Sequence, residues 1–567
     1  MNVLTPNNFY KKLKDNSFSR AEIGVNFDVL IDASIVDWEF RIIQNVTFEK
    51  IVKIKDVEIN SGLAFINCKF KEDIVFSGVK SLNFDSTINP NNYSVLFSSC
   101  IASLIRFDQK CNLDRGIVVD KDSNIDNFVF LQSHIKFNGL KLVSSSINNI
   151  LDISNVRSEL NLRFMKLNKN LRIDTLIGDV SFISSTFNDT INLYNLECPN
   201  SLTFNDNVFE GQLKIQSSRL KGFYIHGDIF NKKIELENRD LSDRGIKSFC
   251  KEIYISEAKF IEGADFNGLS KEIEKITLQI TPNLQGVIKF TGWKVDDLYI
   301  SGVNQNLKLL FKRMIFRFAL LNDFTNYNDL SFDKCSAEGD STFNLSDCDL
   351  GAAKFNEFDF NSFKKIRTDN VTLDKIRASN VNWFSKGSLE ISSSDGTDIE
   401  KYRRIREVYR QIKHALVNSG NQIDSLMFKA REMEAYRSEL KSGENYSIED
   451  KLIMTVSRTN NFGLSWGKPT CVIFIITLGF YILMLPLFSS SINYSIASNL
   501  EEVKLTFSEI YNNFGVFWQL FNPTRKFSST FGEIDNGFLY FLDLFQRIVL
   551  GVFIFQIIKG FRRLTSK

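Results

Sequence analysis

The sequence of 567 residues predicts a mainly β fold: a right-handed parallel β-helix, or solenoid, followed by an α-helical hairpin and a two-helix transmembrane domain. Three observations predict this order. Phe is abundant (53) and Pro scarce (7), short apolar runs recur about every 21 residues, and two long apolar stretches lie near the C-terminus. We assign residues 1–39 to an N-terminal cap, 40–394 to the solenoid, 396–445 to the hairpin and 446–567 to the membrane domain.

Pairs of apolar residues five positions apart recur through the predicted solenoid. They are Phe65/Phe70, Leu162/Leu167, Phe182/Phe187, Phe204/Phe209, Ile225/Phe230 and Ile255/Phe260, with steps of 20, 22, 21 and 30 residues from Leu162 onward. Such spacing is typical of successive solenoid coils. Aligned Phe side chains then stack inside the tube, and Pro is scarce because it cannot donate to a backbone ladder. The region predicts roughly 16 coils, about 4.8 Å apart, and a length on the order of 75 Å.

The apolar spacing tightens to five residues near 340–362. Leu345, Leu350, Phe355 and Phe360 stand five apart, and Phe343, Cys348, Ala353 and Phe358 precede them by two. The phrase CDLGA–AKFNE–FDFNS resembles the pentapeptide-repeat family. The resemblance implies that the central residue of each unit points inward, with a small residue two positions earlier. We interpret the remaining coils as a generic right-handed β-helix.

Helical spacing replaces strand-like alternation from Asp398 onward. Tyr402, Ile405, Tyr409, Ile412 and Leu416 mark one amphipathic helix, Ser419-Gly420 breaks it, and Ile423, Leu426, Met427, Ala430, Met433 and Leu440 mark a second. Two helices with a short break predict an antiparallel hairpin, similar to a single tetratricopeptide-type unit. The pattern Ser447-x-x-Asp450 then predicts the capped start of a third helix.

The first hairpin helix carries a basic group with two interpretations. Its members are Arg403, Arg404, Arg406, Arg410 and Lys413. They could form a patch for an anionic ligand or lipid headgroups. Alternatively they form a solvated face balanced by Glu400, Glu407, Glu432 and Glu434, which is the interpretation that we favour.

Two apolar stretches, 471–488 and 537–558, are long enough to cross a bilayer. The second contains Asp543, Gln546, Arg547 and Gln556. Asp543 and Arg547 are four residues apart on one helix face, which Gly551 continues. Charged side chains within a membrane span are unfavourable in free energy unless they face protein or water. The face is therefore either a self-neutralised pair or inter-subunit tether, or a polar stripe that lines a pore or gate. Both alternatives predict burial between helices.

The segment between the two spans is apolar and aromatic over residues 500–523, which predicts a re-entrant or interfacial helix. This arrangement is similar to two-helix ion channels, which assemble as tetramers. No T-V-G-Y-G filter is present, so potassium selectivity has no support. Because two helices cannot enclose an aqueous pore alone, pore formation requires a homo-oligomer, and we favour a tetramer.

Basic residues flank the two spans on their outer sides. Lys451, Arg458 and Lys468 precede the first span, and Lys559, Arg562, Arg563 and Lys567 follow the second. This bias predicts that both termini are cytoplasmic. The N-terminal residues contain no apolar signal segment, which agrees with that orientation. We therefore expect a double-span protein of a bacterial inner membrane, with the lipid bilayer as a partner.

The junction before the first span carries the most extensive resemblance. It is formed by Asn460, Phe462, Gly463, Ser465, Trp466 and Pro469. With YRQIKHALVNSGNQIDSLMFKAREMEAYRSEL before it, the loop WQLFNPTRKF and the tail RIVLGVFIFQIIKGFRR, it resembles bacterial pentapeptide-repeat membrane proteins over about residues 345–567. A large cytoplasmic sensor joined to about two spans is also a design of anti-phage membrane effectors, such as that of the Hailong system. No individual residues are matched to that effector.

These features predict a membrane effector in which the solenoid senses a ligand or partner and gates an oligomeric two-span pore. The ligand would be a nucleotide, an oligonucleotide or a protein. The alternative is a membrane-tethered scaffold that binds protein or nucleic acid without conduction. We expect no enzyme, catalytic residue, cofactor or metal, because the eight scattered Cys and three His give no site spacing. The 69 basic and 67 acidic residues give no field that favours nucleic acid.

Overall fold

The structure, a computed structural model, describes residues 2–33, 40–59, 61–81, 93–108, 110–113, 115–130, 135–137, 139–240, 247–391, 397–443, 447–489, 500–534 and 536–562. It forms two compact units, Met1–Ser392 and Ser393–Lys567. The first unit is a parallel β-solenoid of about 16 turns and the second is α-helical, which confirms the predicted fold class. The boundary predicted at 394–396 lies outside the described residues.

Each regular coil of the solenoid contributes to four parallel backbone ladders. In one coil the four segments are Val180–Ile183, Thr186–Phe187, Ile191–Tyr194 and Glu197–Cys198, and each pairs with a segment 22 residues later. Phe182 therefore lies over Phe204, and Phe187 over Phe209. The predicted five-residue spacing thus corresponds to a step from one ladder to the next within a coil.

The described strands all belong to this single ladder system. In the first half they are Asn2–Val3, Ile23–Val25, Val29–Ile31, Arg41–Gln44, Val46–Phe48, Val52–Lys55, Leu63–Ile66, Lys69–Ser77, Lys80–Ser81, Val95–Ser98, Ile101–Phe107, Asn112–Leu113, Ile117–Asp120, Asn124–Phe130, Ile135–Phe137, Leu140–Val143, Ser146–Arg157, Leu160–Arg163, Lys166–Leu167 and Leu171–Ile177. In the second half they are Val180–Ile183, Thr186–Phe187, Ile191–Tyr194, Glu197–Cys198, Leu202–Asn205, Val208–Phe209, Leu213–Gln216, Arg219–His226, Ile229–Phe230, Ile234–Glu237, Phe249–Ser256, Lys259–Ile280, Gln285–Asn304, Asn306–Lys312, Ile315–Asn326, Leu330–Asp333, Ser336–Asp349, Lys354–Asn356, Lys365–Thr372, Arg377–Ser379 and Leu389–Ile391.

Phe side chains stack in columns inside the solenoid. In one column the ring centroids of Phe187, Phe209, Phe230 and Phe260 are separated by 4.9, 4.7 and 5.2 Å. A second column runs through Phe266, Phe290, Phe311, Phe332 and Phe355. Because the rungs of a parallel ladder are about 4.8 Å apart, the backbone spacing itself sets the ring separation. The predicted stacking of Phe on Phe is confirmed.

The N-terminal residues take part in the solenoid from the start. Asn2–Val3 pairs with Ile23 and Gly24, so strand pairing begins before the predicted boundary at residue 40. Helix α1, Pro6–Lys14, buries Phe9 and Leu13, and the Phe9 ring meets the Phe48 ring edge-on at 5.9 Å. The helix therefore covers apolar side chains of the first coils.

A short column of polar side chains is also buried in the solenoid. The backbone N–H of Ser185 donates to Asn207 Oδ1 at 2.9 Å, and the backbone N–H of Asn207 donates to Asp228 Oδ1 at 2.8 Å. Asn207 Nδ2 donates to the same carboxylate oxygen, and the His226 N–H donates to Asp228 Oδ2 at 3.1 Å. Asp228 is fully buried, and burial raises the pKa of its carboxyl from 3.8 to about 7.

The second unit contains eight helices among the residues that the structure describes. They are α2 Asp398–Asn418, α3 Gln422–Ser442, α4 Ile448–Thr459, α5 Gly467–Phe488, α6 Leu500–Asn512, α7 Phe514–Gln519, α8 Phe527–Phe531 and α9 Gly537–Arg562. Gly420, at φ +78°, turns the chain between α2 and α3, as the predicted hairpin requires. The Ser447 hydroxyl accepts the Asp450 N–H at 3.0 Å and caps α4.

Truncation of one Phe column tests the packing. We expect Phe209→Ala to lower the free energy of unfolding by about 3–5 kcal/mol, because it opens a cavity between two stacked rings. The measurement is the urea midpoint of the β-sheet circular dichroism of the full-length chain. Phe164→Ala is the matched control, since Phe164 is 56% exposed, and an equal loss in both variants would contradict the column.

The buried carboxyl predicts a pH dependence of stability. Since the folded-state pKa of Asp228 is raised, the folded state holds a proton that the unfolded chain releases above its ordinary pKa. The contribution of Asp228 is therefore present below pH 3.8 and is lost as the pH rises through about 7. Asp228→Asn, whose amide does not titrate, should therefore show a smaller loss of stability between pH 5 and pH 8 than wild type. Thermal unfolding at both pH values checks this, with exposed Asp323→Asn as the control.

Candidate functional site

Two helices of the second unit are long and apolar enough to cross a membrane. Helices α5 and α9 have mean hydropathies of 2.6 and 1.9 in their most apolar stretches, and only 28% of each stretch is buried. Ile475 of α5 is 70% exposed, and Leu544 and Phe555 of α9 are each 60% exposed. Exposed apolar surface on this scale is typical of a membrane or protein contact.

The segment between α5 and α9 folds back onto these two helices. Tyr481 and Leu485 of α5, Phe517 of α7 and Leu539 of α9 belong to one buried cluster. The Tyr481 hydroxyl donates to the Ile510 carbonyl at 2.8 Å, which fixes the end of α6 against α5. The predicted re-entrant or interfacial stretch, 500–523, thus contains α6 and α7: Phe517 of α7 is buried, whereas Phe507 and Tyr511 of α6 are 67% and 81% exposed.

Four polar side chains meet in the interior of this apolar unit, and we call them the arginine network: Arg525, Asp543, Gln546 and Arg547. Arg525 Nη2 contacts Asp543 Oδ1 and donates to Gln546 Oε1 at 3.0 Å. Arg547 Nη2 lies 2.8 Å from Asp543 Oδ2. Arg525, Asp543 and Gln546 are 7%, 5% and 1% exposed. Asp543 is therefore held between two arginines.

The local sequence explains how the network is positioned. Asp543, Gln546 and Arg547 lie three and four residues apart on α9 and share one face. Arg525 follows the end of α7, where Pro523 prevents continuation, and its Nη1 donates to the carbonyls of Leu520 and Asn522 at 3.2 and 3.1 Å. These carbonyls lie beyond the last turn of α7, so Arg525 caps the C-terminal end of that helix while it pairs with Asp543.

The remaining intramembrane residues predicted from sequence lie elsewhere. Gln556 is buried and its Oε1 accepts from Asn460 Nδ2 at 2.6 Å, so it connects α9 to the junction that precedes α5. Gly551 is exposed, and no atom outside its own helix lies within 4 Å of the position of an added Cβ. The structure thus brings together Asp543, Gln546 and Arg547 and separates Gly551 and Gln556 from them.

The network carries one more positive charge than negative. Two arginines face one carboxylate, and the Nε atoms of Arg525 and Arg547 are buried without a hydrogen-bond partner among the described residues. A cavity of about 670 Å³ opens beside them. An uncompensated cation in an apolar unit is unfavourable, so the arrangement is suited to bind an anion or to rearrange.

The basic group of α2 is paired with carboxylates. Arg403 and Arg406 contact Glu439 at 3.3 and 2.9 Å. The other pairs are Arg404 with Glu400, Arg410 with Glu407 and Lys413 with Glu432. This arrangement favours a balanced face over an anionic-ligand patch. Glu439, which is only 9% exposed, is not among the balancing carboxylates that the sequence predicted, although it lies on the same helix as Glu432 and Glu434.

No group of three or more His, Cys, Asp or Glu that could hold a metal ion occurs among the residues that the structure describes. No protein-family model, curated protein or solved structure matches the chain. Fold and geometry therefore carry the functional argument: a solenoid joined to a helical unit with two membrane-length helices.

Removal of the carboxylate tests the network. We expect Asp543→Leu to destabilise the helical unit by about 3–5 kcal/mol, because it leaves two cations without their partner in an apolar interior. The Arg525→Leu/Asp543→Leu double variant should recover part of this loss. The measurement is thermal unfolding of the full-length protein in detergent, followed by helical circular dichroism. Glu533→Gln, which changes an exposed carboxylate between α8 and α9, is the control and should have no effect.

Proposed function

We propose that this protein is a membrane effector in which the solenoid binds a ligand or partner and gates an oligomeric pore formed by α5, α9 and the segment between them. The observation that carries the proposal is the arginine network, a buried group of charges in a unit with an apolar exterior. Charges in such surroundings are typical of ion pathways and gates. The network supplies a polar interior that opens when its ion pairs separate.

Oligomerisation follows from the size of the unit. Two helices cannot surround an aqueous channel, so several copies must contribute α9 or the re-entrant segment to one pathway. The exposed faces of α5 and α9 supply apolar surface for lipid and for neighbouring copies. A tetramer is the assembly that we favour, by analogy with two-helix channels.

A contact between the two ends of the membrane unit supports coupling to the rest of the chain. Asn460 bonds to both the side chain and the carbonyl of Gln556, and Trp466 stacks on Phe561 with 5.2 Å between ring centroids. Gly560 allows the close approach, because an added Cβ would lie 3.0 Å from the Ser465 carbonyl oxygen. Movement of the segment after α4 would therefore act directly on α9.

The membrane placement in this proposal rests on the basic flanks. Lys451, Arg458 and Lys468 precede or begin α5, and Lys559 and Arg562 end α9, so both termini would lie on the cytoplasmic side. Arg563 and Lys567 lie outside the described residues. A bacterial inner membrane and a role in anti-phage defence, by membrane disruption or growth arrest, rest on the sequence resemblance alone.

A second function is favoured by one feature of the same network. Both partners of the Asp543 carboxylate, Arg525 and Arg547, belong to the same helical unit, and Arg525 also caps the end of α7. Such a closed arrangement also suits a rigid anchor. The protein would then be a membrane-tethered scaffold whose solenoid binds protein or nucleic acid without conduction.

Current recorded from the full-length protein in planar bilayers distinguishes the two functions. We expect Asp543→Asn to raise the conductance at least ten-fold over wild type, because the unpaired arginines repel each other and admit water. Glu533→Gln, the control with the same charge change at an exposed site, should behave as wild type.

Two results would contradict the pore. One is the absence of current from both wild type and Asp543→Asn when each elutes as a folded oligomer. The other is a monomeric mass in detergent and in crosslinked membranes, which would favour the scaffold.

A further inference from the structure

The cavity beside the arginine network has a cationic floor. Arg525, Lys526 and Arg547 line it, against a single carboxylate from Asp543. Lys526 is exposed and makes no ion pair within the described chain. Arg525 is more than nine-tenths buried, yet its Nε has no hydrogen-bond partner among the described residues, and the same holds for Arg547 Nε. The cavity lining therefore carries surplus positive charge.

The opposite side of the cavity is amphipathic. Phe527 and Tyr540 stack face to face with 3.8 Å between ring centroids, and Leu544 adds an apolar wall. Ser528 also lines the cavity. A cationic floor, a hydroxyl and an apolar wall together match a molecule that carries both a phosphate and a hydrocarbon portion.

The position of the cavity along α9 agrees with a ligand that carries both a phosphate and a hydrocarbon portion. Asp543 is six residues from Gly537, where α9 begins, which corresponds to about 9 Å along the helix axis. If α9 crosses a bilayer, this position lies just below the loop-side surface, where phospholipid headgroups and glycerol groups are located. Aromatic residues such as Tyr540 are enriched at this depth.

We propose that this cavity binds the phosphate group of an anionic ligand, supplied by a phospholipid headgroup of the leaflet at the loop end of α5 and α9. The phosphate neutralises the surplus charge of the arginine network. The inference relies on the membrane insertion contained in the proposed function. It does not rely on conduction, so binding and current are measured separately.

The test is a titration of full-length protein in uncharged detergent, followed by isothermal calorimetry. Short-chain phosphatidylglycerol, short-chain phosphatidylcholine and inorganic phosphate are the three probes. We expect phosphatidylglycerol to bind more tightly than phosphatidylcholine, and Lys526→Gln to weaken its binding about five-fold, the effect of one lysine near an anionic headgroup. Lys526 is exposed, so this substitution leaves the fold intact.

The matched control is Lys468→Gln, which removes the same charge from an exposed site at the other end of α5. It should leave phosphatidylglycerol binding unchanged. Inorganic phosphate that binds as tightly as the lipid, with the same loss in Lys526→Gln, would support the phosphate site and identify a soluble phosphate as its source. Equal binding of the two lipids, or equal weakening by both lysine substitutions, would overturn the proposal.

Discussion

The fixed rung spacing of parallel backbone ladders is the constraint on which the solenoid depends. Since each strand lies about 4.8 Å from the next, every inward side chain is placed over its counterpart in the adjacent coil. Flat rings tolerate this spacing well, and the centroids of Phe209 and Phe230 are 4.7 Å apart. Buried polar side chains need hydrogen-bond partners at this spacing: Asn207 Oδ1 accepts from the Ser185 backbone N–H, and Asn207 Nδ2 donates to Asp228 Oδ1.

In the helical unit, the distances between neighbouring elements are set in a different way. Its helices satisfy their own backbone groups, so no ladder fixes the distance between them, and side chains must do so. Apolar packing around Tyr481 and Phe517 holds the intervening segment in place. The arginine network adds a directional element, because Arg525 joins the end of α7 to the N-terminal half of α9 through hydrogen bonds.

The features that repeat along the chain, or that depend on residues close in sequence, could be predicted from the sequence. The coil length follows from the spacing of Phe182, Phe204 and Ile225, since the period of a repeat gives the number of residues in each coil. The sequence predicts the pairing of Asp543 with Arg547, because residues four apart on a helix lie on the same face. The two hairpin helices followed from the same periodicity, and their break at Ser419-Gly420 from glycine chemistry.

The missed elements are those that depend on tertiary folding. Arg525 is 18 residues from Asp543, and no periodic pattern joins them. Asn460 and Gln556 are separated by 96 residues, and the pairing of Glu439 with Arg406 depends on the register of α3 along α2, which helical periodicity does not give. The start of strand pairing at Asn2 was also missed, because two-residue strands carry too little alternation to be recognised.

The coil of 22 residues has a consequence for how such a chain changes in evolution. Each coil contacts only its two neighbours, and the columns inside it are built from equivalent positions. Duplication or deletion of one coil in the genome would therefore alter the solenoid by one step of about 4.8 Å, with the same side chains meeting at the new boundary. The N-terminal end, covered by α1 and Phe9, would remain as it is. The length of the solenoid is thus a quantity that selection can adjust in fixed increments without redesigning its interior.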